Sequence, residues 1–451
     1  MRLNPELLAR YDARVPRYTS YPTAPHFHDG VDAAVYRELL SSLGGHEPVS
    51  LYFHIPFCVQ MCWYCGCHTQ IAARYAPIAD YVKLLKAELG LVAASLAGRP
   101  SVSHIHWGGG TPTMLSTGDF AALMTQVGSL FEIGERTEIA VEIDPRTLTP
   151  KKIDALARAG VNRASLGVQD FNDHVQAAIN RLQPFDMTAD VVARLRRAGI
   201  HALNFDLMYG LPRQTVTNVE KTVELATSLS PDRIALFGYA HVPWMKTHQR
   251  KIDEAELPGA AERLDQSYAA AEALTKAGYR RIGLDHFARE HDALTLALDR
   301  GALHRNFQGY TTDDSRTLIG FGASAIGLLG DTYVQNAVPF RAYAAAIQNG
   351  ELAVVRGVSL TDADRLRRDL IEHLMCDLTV DVTAVCAAHD VAPSTLAAEI
   401  EALEPLIRDG IVRLDRGRIT VTEYGRPLVR SVCAVFDSYL DSSAVRYSRA
   451  V

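Results

Sequence analysis

Four cysteines lie within ten residues of the chain, close enough to bind one metal centre together. Cys58, Cys62 and Cys65 form a C-x3-C-x2-C motif, and Cys67 adds a further x-C. Structural zinc sites also use four thiolates, but they usually pair two separate knuckles, and this sequence has no second one. Three close thiolates on one loop suit a [4Fe–4S] cluster whose fourth iron lacks a protein thiolate. The spacing therefore favours a cluster with one open iron over zinc.

The cysteine motif follows the first of six short apolar runs that we predict as β-strands. Each run is followed by a longer amphipathic segment with helical periodicity, such as Ile78–Leu96 and Pro150–Ala159. Strands that alternate with helices predict a parallel sheet with right-handed crossovers, and about six such units favour a closed or partly closed barrel. The predicted strands are Val49–Ile55, Val102–Trp107, Glu138–Ile143, Ala164–Val168, Ala202–Met208 and Arg233–Tyr239.

Polar and glycine-rich residues come directly after these runs or near their ends, where a βα barrel places its chemistry. The cysteine motif follows the first run, and Gly108–Thr113 follows the second. The other four runs end near carboxylate, amide, aromatic or imidazole side chains: Glu142 with Asp144, Gln169 with Asp170, Asp206, and Tyr239 with His241. Because the carboxyl ends of parallel strands share one edge of the sheet, we expect these residues to form one site.

The last part of the chain departs from the strand–helix alternation. Thr361 begins a pattern of helices with a side-chain cap. Runs at Ile411–Leu414 and Ile419–Val421 predict a hairpin, and a last helix is predicted over Arg426–Tyr439. Helices with a hairpin resemble a winged helix, but residues 361–451 carry four more acidic than basic side chains, and acidic surfaces repel phosphate. We therefore predict a helical cap rather than a DNA-binding domain.

Composition and charge restrict the class of protein. The 451 residues are 48% hydrophobic and 22% charged, which excludes disorder and collagen-like structure. A net charge of −6 argues against a nucleic-acid partner, and no apolar stretch approaches the roughly 20 residues of a membrane helix. The start, Met1–Glu6, lacks the apolar core of a signal peptide. We expect a cytoplasmic protein whose scattered cysteines are small core residues rather than disulfide partners: Cys376, Cys386 and Cys433.

A C-x3-C-x2-C motif after the first strand of a βα barrel resembles the signature of the radical S-adenosylmethionine enzymes. More narrowly, the segment YFHIPFCVQMCWYCGCH at 52–68 resembles the oxygen-independent coproporphyrinogen III oxidase family. Further resembling segments extend over nearly the whole chain: RYTSYPTA at 17–24, HWGGGTPT at 106–113, VEIDPRTL at 141–148, SLGVQDFNDHVQAAINRLQ at 165–183, NFDLMYGLPRQT at 204–215, YAHVPWMKTHQRKI at 239–252, DHFAR at 285–289 and HRNFQGYTT at 304–312.

The resemblance implies an α/β fold in three parts. Residues 1–47 would form an N-terminal extension that covers the active site. Residues 48–355 would form a partial (β/α)6 radical S-adenosylmethionine barrel with its extension, and residues 356–451 a mainly helical C-terminal cap domain.

The resemblance also implies a set of site residues. A [4Fe–4S] cluster would be bound by Cys58, Cys62 and Cys65, together with two molecules of S-adenosylmethionine. Contacts to the cluster-bound molecule are implied for Tyr52, Gly109, Glu142 and Ile326. Contacts to or near the second molecule are implied for Tyr64, Gly110, Thr111, Gln169, Arg181, Asp206, Ala240 and Gln308. Catalytic roles are implied for Tyr52, Cys67 and Glu142. Tyr64 stands where the family pattern has phenylalanine, and either ring can stack.

The implied reaction is a radical oxidative decarboxylation of coproporphyrinogen III to protoporphyrinogen IX in anaerobic haem biosynthesis, in which two propionates become vinyl groups. A tetrapyrrole with four propionates needs cations around a large apolar cavity. The candidates are Arg17, Lys246, Arg250, Lys251, Arg289, Arg305, His54 and His241. The expected partners are this substrate and an electron donor such as flavodoxin or ferredoxin, without nucleic acid or membrane. We expect a monomer.

Two other functions remain open at this point. A haem chaperone branch shares the barrel and the three-cysteine motif, but it lacks the fourth cysteine and the YTSYPTA patch. This chain has both, as Cys67 and residues 18–24. A zinc-dependent regulator would use the C-terminal hairpin, which the acidic charge and the missing second knuckle disfavour. The oxidase is therefore the predicted function.

Overall fold

The structure is a computed structural model and describes residues 2–44, 47–440 and 447–449. Its β-strands are β1 (Val49–Ile55), β2 (Phe57–Cys58), β3 (Gln70–Ile71), β4 (Ser101–Gly109), β5 (Glu132–Ile143), β6 (Arg163–Gln169), β7 (Ala202–Tyr209), β8 (Arg233–Gly238), β9 (Tyr279–Ile282), β10 (His286–Arg289), β11 (His304–Asn306), β12 (Gly309–Thr311), β13 (Thr317–Phe321), β14 (Ile326–Leu329), β15 (Thr332–Asn336), β16 (Val354–Ser359), β17 (Thr379–Asp381), β18 (Val412–Asp415) and β19 (Arg418–Val421). Its α-helices are α1 (Pro5–Tyr11), α2 (Ala33–Ser42), α3 (Ala76–Ser95), α4 (Thr117–Leu130), α5 (Pro150–Arg158), α6 (Asp173–Ala178), α7 (Phe185–Arg197), α8 (Val216–Ser228), α9 (Ala260–Lys276), α10 (Ala293–Asp299), α11 (Phe340–Gln348), α12 (Asp362–Asp377), α13 (Val382–Ala388), α14 (Ala397–Ala402), α15 (Glu404–Arg408) and α16 (Val429–Ala434).

One large sheet forms the centre of the fold. Its strand order is β16–β15–β14–β13–β1–β4–β5–β6–β7–β8–β10–β9. The neighbours from β13 to β8 pair in parallel, and the strands beyond either end pair antiparallel. The six predicted strands are confirmed, in sequence order across the sheet. Strand β13 is not predicted from the sequence; it comes late in the chain and lies beside β1. The mixed α/β class of a partial barrel is confirmed.

Strand β1 is central because its side chains pack into the hydrophobic core. Every residue of β1 except Tyr52 is buried, as expected for a parallel strand covered by other layers. The ring of Phe53 stacks between Trp107 of β4 and Phe321 of β13, with ring centroids 4.2 and 4.8 Å away. Full burial of one such ring stabilises the fold by about 1.5–3 kcal/mol. This stack fixes β1, which leads into the cysteines at 58–67, and β4, which leads into the glycine-rich turn at residues 108–113.

A second hydrophobic core joins the two ends of the chain. It contains side chains from α12, α13 and α16 and from the small sheet β17–β19–β18. The N-terminal segment contributes Leu3, Leu8, Tyr18 and Tyr21. The Tyr18 hydroxyl also donates to the carboxylate of Asp437 at 3.0 Å. The N-terminal segment is therefore held by the C-terminal region.

The C-terminal region largely follows the pattern predicted for it. The Thr361 hydroxyl accepts from the Asp364 N–H, and the Asp364 carboxylate accepts from the Thr361 N–H, so the predicted cap of α12 is confirmed. The hairpin is confirmed as β18 and β19. The last helix is shorter than predicted: a 3-10 turn precedes α16, which ends at Ala434. The Asp437 carboxylate accepts from the Tyr439 N–H at 3.0 Å, a local bond that competes with a continued helix.

The cysteines outside the motif are core residues. Cys376, Cys386 and Cys433 are buried free thiols, as predicted. Among the described residues, no helix combines the length and the apolar character that a membrane crossing requires.

Candidate active site

The structure brings the predicted strand-end residues to one edge of the sheet. In the parallel register, His54 of β1 lies opposite Gly108 of β4. Further along the sheet, Glu142 of β5 lies opposite Ser165 of β6, and Asp206 of β7 follows on the next pair of strands. Their side chains start from the same edge, so one ligand can contact several of them.

Cys58 begins the cysteine loop, which we define as residues 58–67. The loop is closed at its base because β2 pairs with β3 in parallel, with Cys58 opposite Ile71. The Thr69 hydroxyl donates to Cys58 Sγ at 3.3 Å, and the Thr111 hydroxyl lies 3.4 Å from the same sulfur. Burial raises the pKa of the Cys58 thiol, and the two hydroxyls act in the opposite direction because they favour the thiolate.

Cys62 faces two arginines. Arg146 Nη2 lies 3.4 Å and Arg181 Nη1 3.5 Å from Cys62 Sγ. Asp144 pairs with both guanidinium groups, at 2.7 Å for Arg146 and 3.4 Å for Arg181. Burial acts to raise the pKa of Asp144, but attraction to Arg181 and hydrogen bonds from Arg146 bring that pKa below its usual value. Cations beside a thiol favour the thiolate, which is the form that binds iron.

Asp144 is predicted as a strand-end residue of the site without a stated role, whereas Arg146 is not predicted there at all. Both lie in the segment VEIDPRTL at 141–148, one of those that carry the family resemblance. Asp144 also ends the third predicted strand. That position was the available signal, whereas nothing in the sequence indicates that Arg146 folds back onto Cys62.

Cys65 is a loop thiol whose pKa lies below its usual value. The Cys67 N–H donates to Cys65 Sγ at 3.4 Å. Hydrogen bonding from Cys67 lowers the pKa of Cys65 to about 7, against the effect of burial. Over the described ranges, no three His, Cys, Asp or Glu side chains converge on a position for a single metal ion. Three thiols on one loop, each near hydrogen-bond donors or cations, fit the thiolate ligands of a [4Fe–4S] cluster.

Tyr52 and Glu142 belong to one hydrogen-bonded group beside the loop. Tyr52 Oη lies 3.0 Å from His54 Nδ1, and its ring stacks on His106 with centroids 5.9 Å apart. His106 Nε2 lies 3.0 Å from Glu142 Oε1, and the Gly109 N–H donates to Glu142 Oε2 at 3.2 Å. Burial, together with the charge of Glu142, raises the pKa of Tyr52 well above its usual value. The Tyr52 hydroxyl therefore stays protonated and can donate a hydrogen bond at this edge of the sheet.

The glycine-rich turn lies directly against the cysteine loop. The Thr111 N–H donates to the Phe57 carbonyl at 2.8 Å. Gly109 has a φ of +110°, and a Cβ on it would lie 2.7 Å from the ring of His54. A Cβ on Gly110 would lie 2.8 Å from the Phe57 carbonyl. Only glycine permits so close an approach of the two backbones.

Asp206 and Gln169 lie further along the same edge. Ser165 Oγ donates to Asp206 Oδ2 at 3.2 Å, and Asn204 Nδ2 donates to Asp206 Oδ1 at 2.9 Å. Burial and the nearby charge of Glu142 raise the pKa of Asp206 to about 6. Gln169 ends β6 in the left-handed region at φ +68° and is buried. This part of the edge offers carboxylate and amide groups for a polar ligand.

Tyr64 and Ala240 are joined through a residue that the sequence analysis does not single out. Gln249 Nε2 donates to the Tyr64 carbonyl at 3.0 Å and lies 3.3 Å from the Ala240 carbonyl. Burial raises the pKa of Tyr64 well above its usual value, although the charge of Arg181 opposes this. Gln249 lies in the quoted segment YAHVPWMKTHQRKI, but no spacing rule distinguishes it there.

Gln308 and Ile326 lie on elements outside the six predicted strands. The Gln308 N–H donates to Asn306 Oδ1 at 2.9 Å in the turn between β11 and β12. Ile326 begins β14, and a Cβ on Gly320 would lie 2.8 Å from the Ile326 carbonyl. Gly320 is the partner of Tyr52 in the β13–β1 pair. Ile326 is therefore close to Tyr52 through Gly320.

A cavity of about 670 Å³ adjoins the strand ends at Ala240 and His241. Among the described residues, seven arginines and three carboxylates line it, an excess of four positive charges. The carboxylates are Asp12, Glu254 and Asp285. The arginines are Arg14, Arg17, Arg263, Arg281, Arg305, Arg430 and Arg449. We call this space the arginine cavity.

Arg305 is the arginine of this cavity with the clearest unused hydrogen-bonding capacity. Its side chain is 5% exposed, and its Nη1 lies 3.6 Å from Asp285 Oδ1. Its guanidinium stands 4.4 Å from the centroid of the Tyr310 ring. Within the described residues, Arg305 Nε and Nη1 have no hydrogen-bond partner. Buried donors of this kind cost free energy unless a ligand accepts from them.

Three of the predicted substrate-binding candidates line the arginine cavity: Arg17, His241 and Arg305. The other candidates are not among the described lining residues: Lys246, Arg250, Lys251, Arg289 and His54. Arg289, for example, stacks 4.0 Å from the Tyr279 ring centroid and donates to the Ala277 carbonyl. The remaining cavity arginines are not predicted from the sequence, because they belong to no motif and are distant from one another in the chain.

Comparisons with known proteins place the chain in a family. A model described as the radical SAM superfamily matches residues 52–226, and one described as the HemN C-terminal domain matches residues 360–428. A protein of Bradyrhizobium diazoefficiens named oxygen-independent coproporphyrinogen III oxidase is 52% identical over 98% of both chains. A protein of the same name from Salmonella typhimurium is 40% identical over 99% of this chain and 98% of its own.

A solved structure agrees with these matches. It is described as coproporphyrinogen III oxidase (HemN) from Escherichia coli, a radical SAM enzyme, and it has a TM-score of 0.91 at 37% identity over 98% of this chain and 100% of its own. The names of these relatives favour the oxidase prediction over the haem chaperone. Because the likeness extends over the cysteine loop, the sheet and the C-terminal region alike, this chain belongs to the oxygen-independent coproporphyrinogen III oxidase family of radical S-adenosylmethionine enzymes.

Proposed function

We propose that this chain converts coproporphyrinogen III to protoporphyrinogen IX without oxygen, in anaerobic haem biosynthesis. The observation that carries the proposal is the arginine cavity beside the cysteine loop. Its excess of four positive charges equals the number of propionates on the substrate, and its volume is within the range of ligand pockets. Each reacting propionate would lose one hydrogen atom from the carbon β to the carboxylate to a group derived from S-adenosylmethionine, one electron to an external electron acceptor, and CO2, and would become a vinyl group.

Cys58, Cys62 and Cys65 would bind the [4Fe–4S] cluster. The hydroxyls at Cys58 and the guanidinium groups at Cys62 support this assignment, because both favour thiolates. When bound, the cluster and S-adenosylmethionine supply one-electron reduction and abstraction of a hydrogen atom. The chain's own residues would hold these groups, keep water away and orient the propionate. Cys67 would act on the substrate side rather than as an iron ligand.

We further propose that the chain binds two molecules of S-adenosylmethionine. Tyr52, Gly109, Glu142 and Ile326 would contact the cluster-bound molecule, and their proximity to one another supports this. Tyr64, Gly110, Thr111, Gln169, Arg181, Asp206 and Ala240 would surround the second, with Gln308 near it. The buried Arg181 has an Nε without a partner among the described residues, which suits a bound carboxylate.

The number of cofactor molecules is testable by equilibrium binding. Labelled S-adenosylmethionine and the anaerobic protein should give two molecules per chain, and Arg181→Ala should bind fewer while keeping its iron. A stoichiometry of one, unchanged in Arg181→Ala, would remove the second molecule from this proposal.

The two ends of the chain would enclose the substrate. Asp12, Arg14 and Arg17 of the N-terminal extension, residues 1–47, line the arginine cavity. The C-terminal cap domain, residues 356–451, contributes Arg430 to the same cavity. We propose that the two ends form one cover over the catalytic barrel of residues 48–355. All seven cysteines are free thiols, which suits the reducing cytoplasm. Flavodoxin or ferredoxin would supply the electron to the cluster, and the chain would act as a monomer.

The reaction itself decides between the candidate functions. Anaerobic protein with its iron, coproporphyrinogen III, S-adenosylmethionine, a reductant for the cluster and an electron acceptor for the substrate should yield the divinyl product, measured by chromatography after oxidation to the porphyrin. Cys62→Ser should yield none. Haem binding by an iron-loaded protein that makes no divinyl product would support the haem chaperone instead.

A further inference from the structure

The segment 240–251 contacts both halves of the site. It follows β8 and ends with a 3-10 helix at Thr247–Lys251. On one side, His241, Pro243 and Trp244 line the arginine cavity. On the other side, the same segment contacts the cysteine loop. A short segment that contacts two sites can transmit a displacement from one to the other.

Three side chains of this segment, Lys246, His248 and Gln249, donate hydrogen bonds to carbonyl groups of the cysteine loop. Lys246 Nζ donates to the Cys67 carbonyl at 3.0 Å. His248 Nε2 donates to the Cys65 carbonyl at 2.8 Å. A further contact comes from the Lys251 ammonium, 5.9 Å from the centroid of the Trp63 ring.

Gln249 makes the most enclosed of these contacts. Its amide nitrogen donates to the Tyr64 carbonyl at 3.0 Å, and its amide oxygen accepts from the Val242 N–H at 2.6 Å. The side chain is buried, with 1% of the residue exposed. The amide therefore joins the loop to the part of the segment that borders the cavity. Buried amides with both ends occupied define a single geometry, because any rotation leaves a polar group unpaired.

The first half of the cysteine loop has contacts elsewhere. The Ala72 N–H donates to the Cys58 carbonyl at 3.0 Å, and Asn180 Nδ2 donates to the Met61 carbonyl at 2.8 Å. Within the loop, the Cys65 N–H donates to the Cys62 carbonyl at 3.1 Å, and outside it the Trp63 N–H donates to the Ile179 carbonyl at 3.0 Å. Its carbonyl groups at positions 64, 65 and 67 accept from side chains of a segment that is 179 to 185 residues away in sequence. The position of the loop is thus tied to that of the segment.

We propose that the segment 240–251 couples occupancy of the arginine cavity to the geometry of the cysteine loop, with Gln249 as the positioning residue. The inference rests on the proposed function, since it takes a porphyrinogen carboxylate ligand as the occupant of the cavity. A ligand that contacts His241 and Trp244 would fix the segment, and Gln249 would fix the loop through the Tyr64 carbonyl. Such coupling is reciprocal, so a loop that holds its cluster would also tighten porphyrinogen binding.

Hydrogen–deuterium exchange of the iron-loaded protein under anaerobic conditions tests the coupling. The readout is exchange in peptides covering residues 58–67, with and without coproporphyrinogen III, beside the dissociation constant of the porphyrinogen. In the native protein, the ligand should slow exchange of the loop by about fivefold or more, the lower end of measured coupling between sites. In Gln249→Glu, which keeps the shape but replaces the donor to Tyr64, the protection should fall below about twofold while the cavity still binds.

Gln266→Glu is the matched control. Gln266 is also buried, donates to the Gln214 carbonyl at 2.7 Å and accepts from the Gly210 N–H at 2.8 Å. The Gln266→Glu variant makes the same chemical change away from the cysteine loop, and the ligand should still protect the loop from exchange in full. His248→Ala is the second variant, because its less buried side chain leaves the fold intact, and it should show an intermediate loss.

The outcomes separate the two proposals. Binding of the porphyrinogen without any change in loop exchange overturns the coupling and leaves the proposed function standing. Equal loss of protection in Gln249→Glu and Gln266→Glu also overturns it, since the effect would then be one of general packing. A native protein that does not bind the porphyrinogen overturns the proposed function and the coupling together.

Discussion

The cysteine loop and the arginine cavity adjoin each other but are built in opposite ways. The chemistry of the loop lies within ten residues, and neighbouring donors and cations attract its thiols. The cavity takes its arginines from residues 14 to 449, and they repel one another. Burial, reinforced by neighbouring arginines, lowers the pKa of Arg281 to about 10 and that of Arg430 to about 9. Attraction between the thiols and their neighbours thus suits the loop to a metal group. In the cavity, the arginines repel one another, and an anionic ligand would relieve that repulsion.

The largest expected effect concerns the loop. Cys62→Ser should lose the iron and all product, because a hydroxyl beside Arg146 and Arg181 does not replace a thiolate ligand. The measurement is iron content together with reductive cleavage of S-adenosylmethionine under anaerobic conditions. Cys58→Ser and Cys65→Ser should behave alike.

Cys67→Ser is the control for this prediction. Cys67 is the exposed cysteine of the motif, and its substitution should keep the iron and impair conversion of the porphyrinogen. Iron loss as complete as in Cys62→Ser would indicate a four-cysteine site and contradict the division between loop and substrate side.

The second prediction addresses the cavity. Arg305→Met keeps the unbranched apolar stem of the side chain but removes its charged end, so kcat/KM for the porphyrinogen should fall by about 100-fold, the size expected when a buried charged hydrogen bond is lost. Most of the loss should appear in KM, and the iron content should be unchanged. Steady-state kinetics on the anaerobic protein measure both constants.

Arg289→Met is the matched change outside the cavity. Arg289 stacks on Tyr279, and its substitution should leave KM within about twofold, as is usual for changes remote from a ligand. If both variants lost activity equally, the arginine cavity would not be the substrate site, and the contrast between cavity and loop would fail.

The sequence predicts the loop far better than the cavity, for a physical reason. The ligands of a cluster must be close in space, and here they are also close in sequence, so spacing alone indicates them. The strand–helix alternation likewise predicts the parallel sheet, because both patterns are local. Arg263 and Arg281 carry no such signal, since their meeting depends on the packing of α9 and β9 against the end of the sheet.

Tertiary contacts also explain what the local patterns miss. Strand β13 is parallel to β1 but separated from it by more than 250 residues, and no crossover pattern in the sequence indicates that pairing. Arg146 turns back onto Cys62 because Asp144 pairs with it. The role of Gln249 depends on its hydrogen bond to the Tyr64 carbonyl, which lies in a loop distant in sequence. Each of these contacts depends on the completed fold rather than on residue type and spacing.

A third prediction tests the backbone that faces the loop. Gly109→Ala places a methyl group 2.7 Å from the His54 ring at a φ of +110°. Such strain costs about 1–3 kcal/mol, so binding of S-adenosylmethionine should weaken by about tenfold with the iron retained. Gly118→Ala is the control, because its nearest neighbour would be 4.0 Å away, and its binding should be unchanged. Equal binding in the two variants would show that the turn tolerates a side chain.

The last prediction concerns the helix that supports the strands behind the cysteine loop. This region contains a buried acid, whereas the arginine cavity contains buried cations. Glu88 of α3 accepts from the Gly322 N–H at 2.7 Å, from Asn336 Nδ2 at 2.6 Å and from the Tyr343 hydroxyl at 2.7 Å. Another side chain of α3, Tyr81, donates to the His54 carbonyl at 2.7 Å. This helix therefore holds the ends of β1 and β13 beneath the cysteine loop.

Burial raises the pKa of Glu88 to about 7, against hydrogen bonds that favour the carboxylate. Its usual value is 4.5, so between about pH 4.5 and 7 the unfolded chain releases a proton that the folded chain keeps, and folded stability falls as pH rises, by about 3 kcal/mol in total. The Glu88→Gln side chain cannot titrate, so this variant should lack the decline. Because an amide has one acceptor oxygen fewer than a carboxylate, the free energy of unfolding at pH 5 should be lower by about 1–3 kcal/mol. The measurement is the midpoint of thermal unfolding of the iron-loaded protein from pH 5 to 7.5, with the exposed Glu351→Gln as control. An undiminished pH slope in Glu88→Gln would assign the decline to other groups.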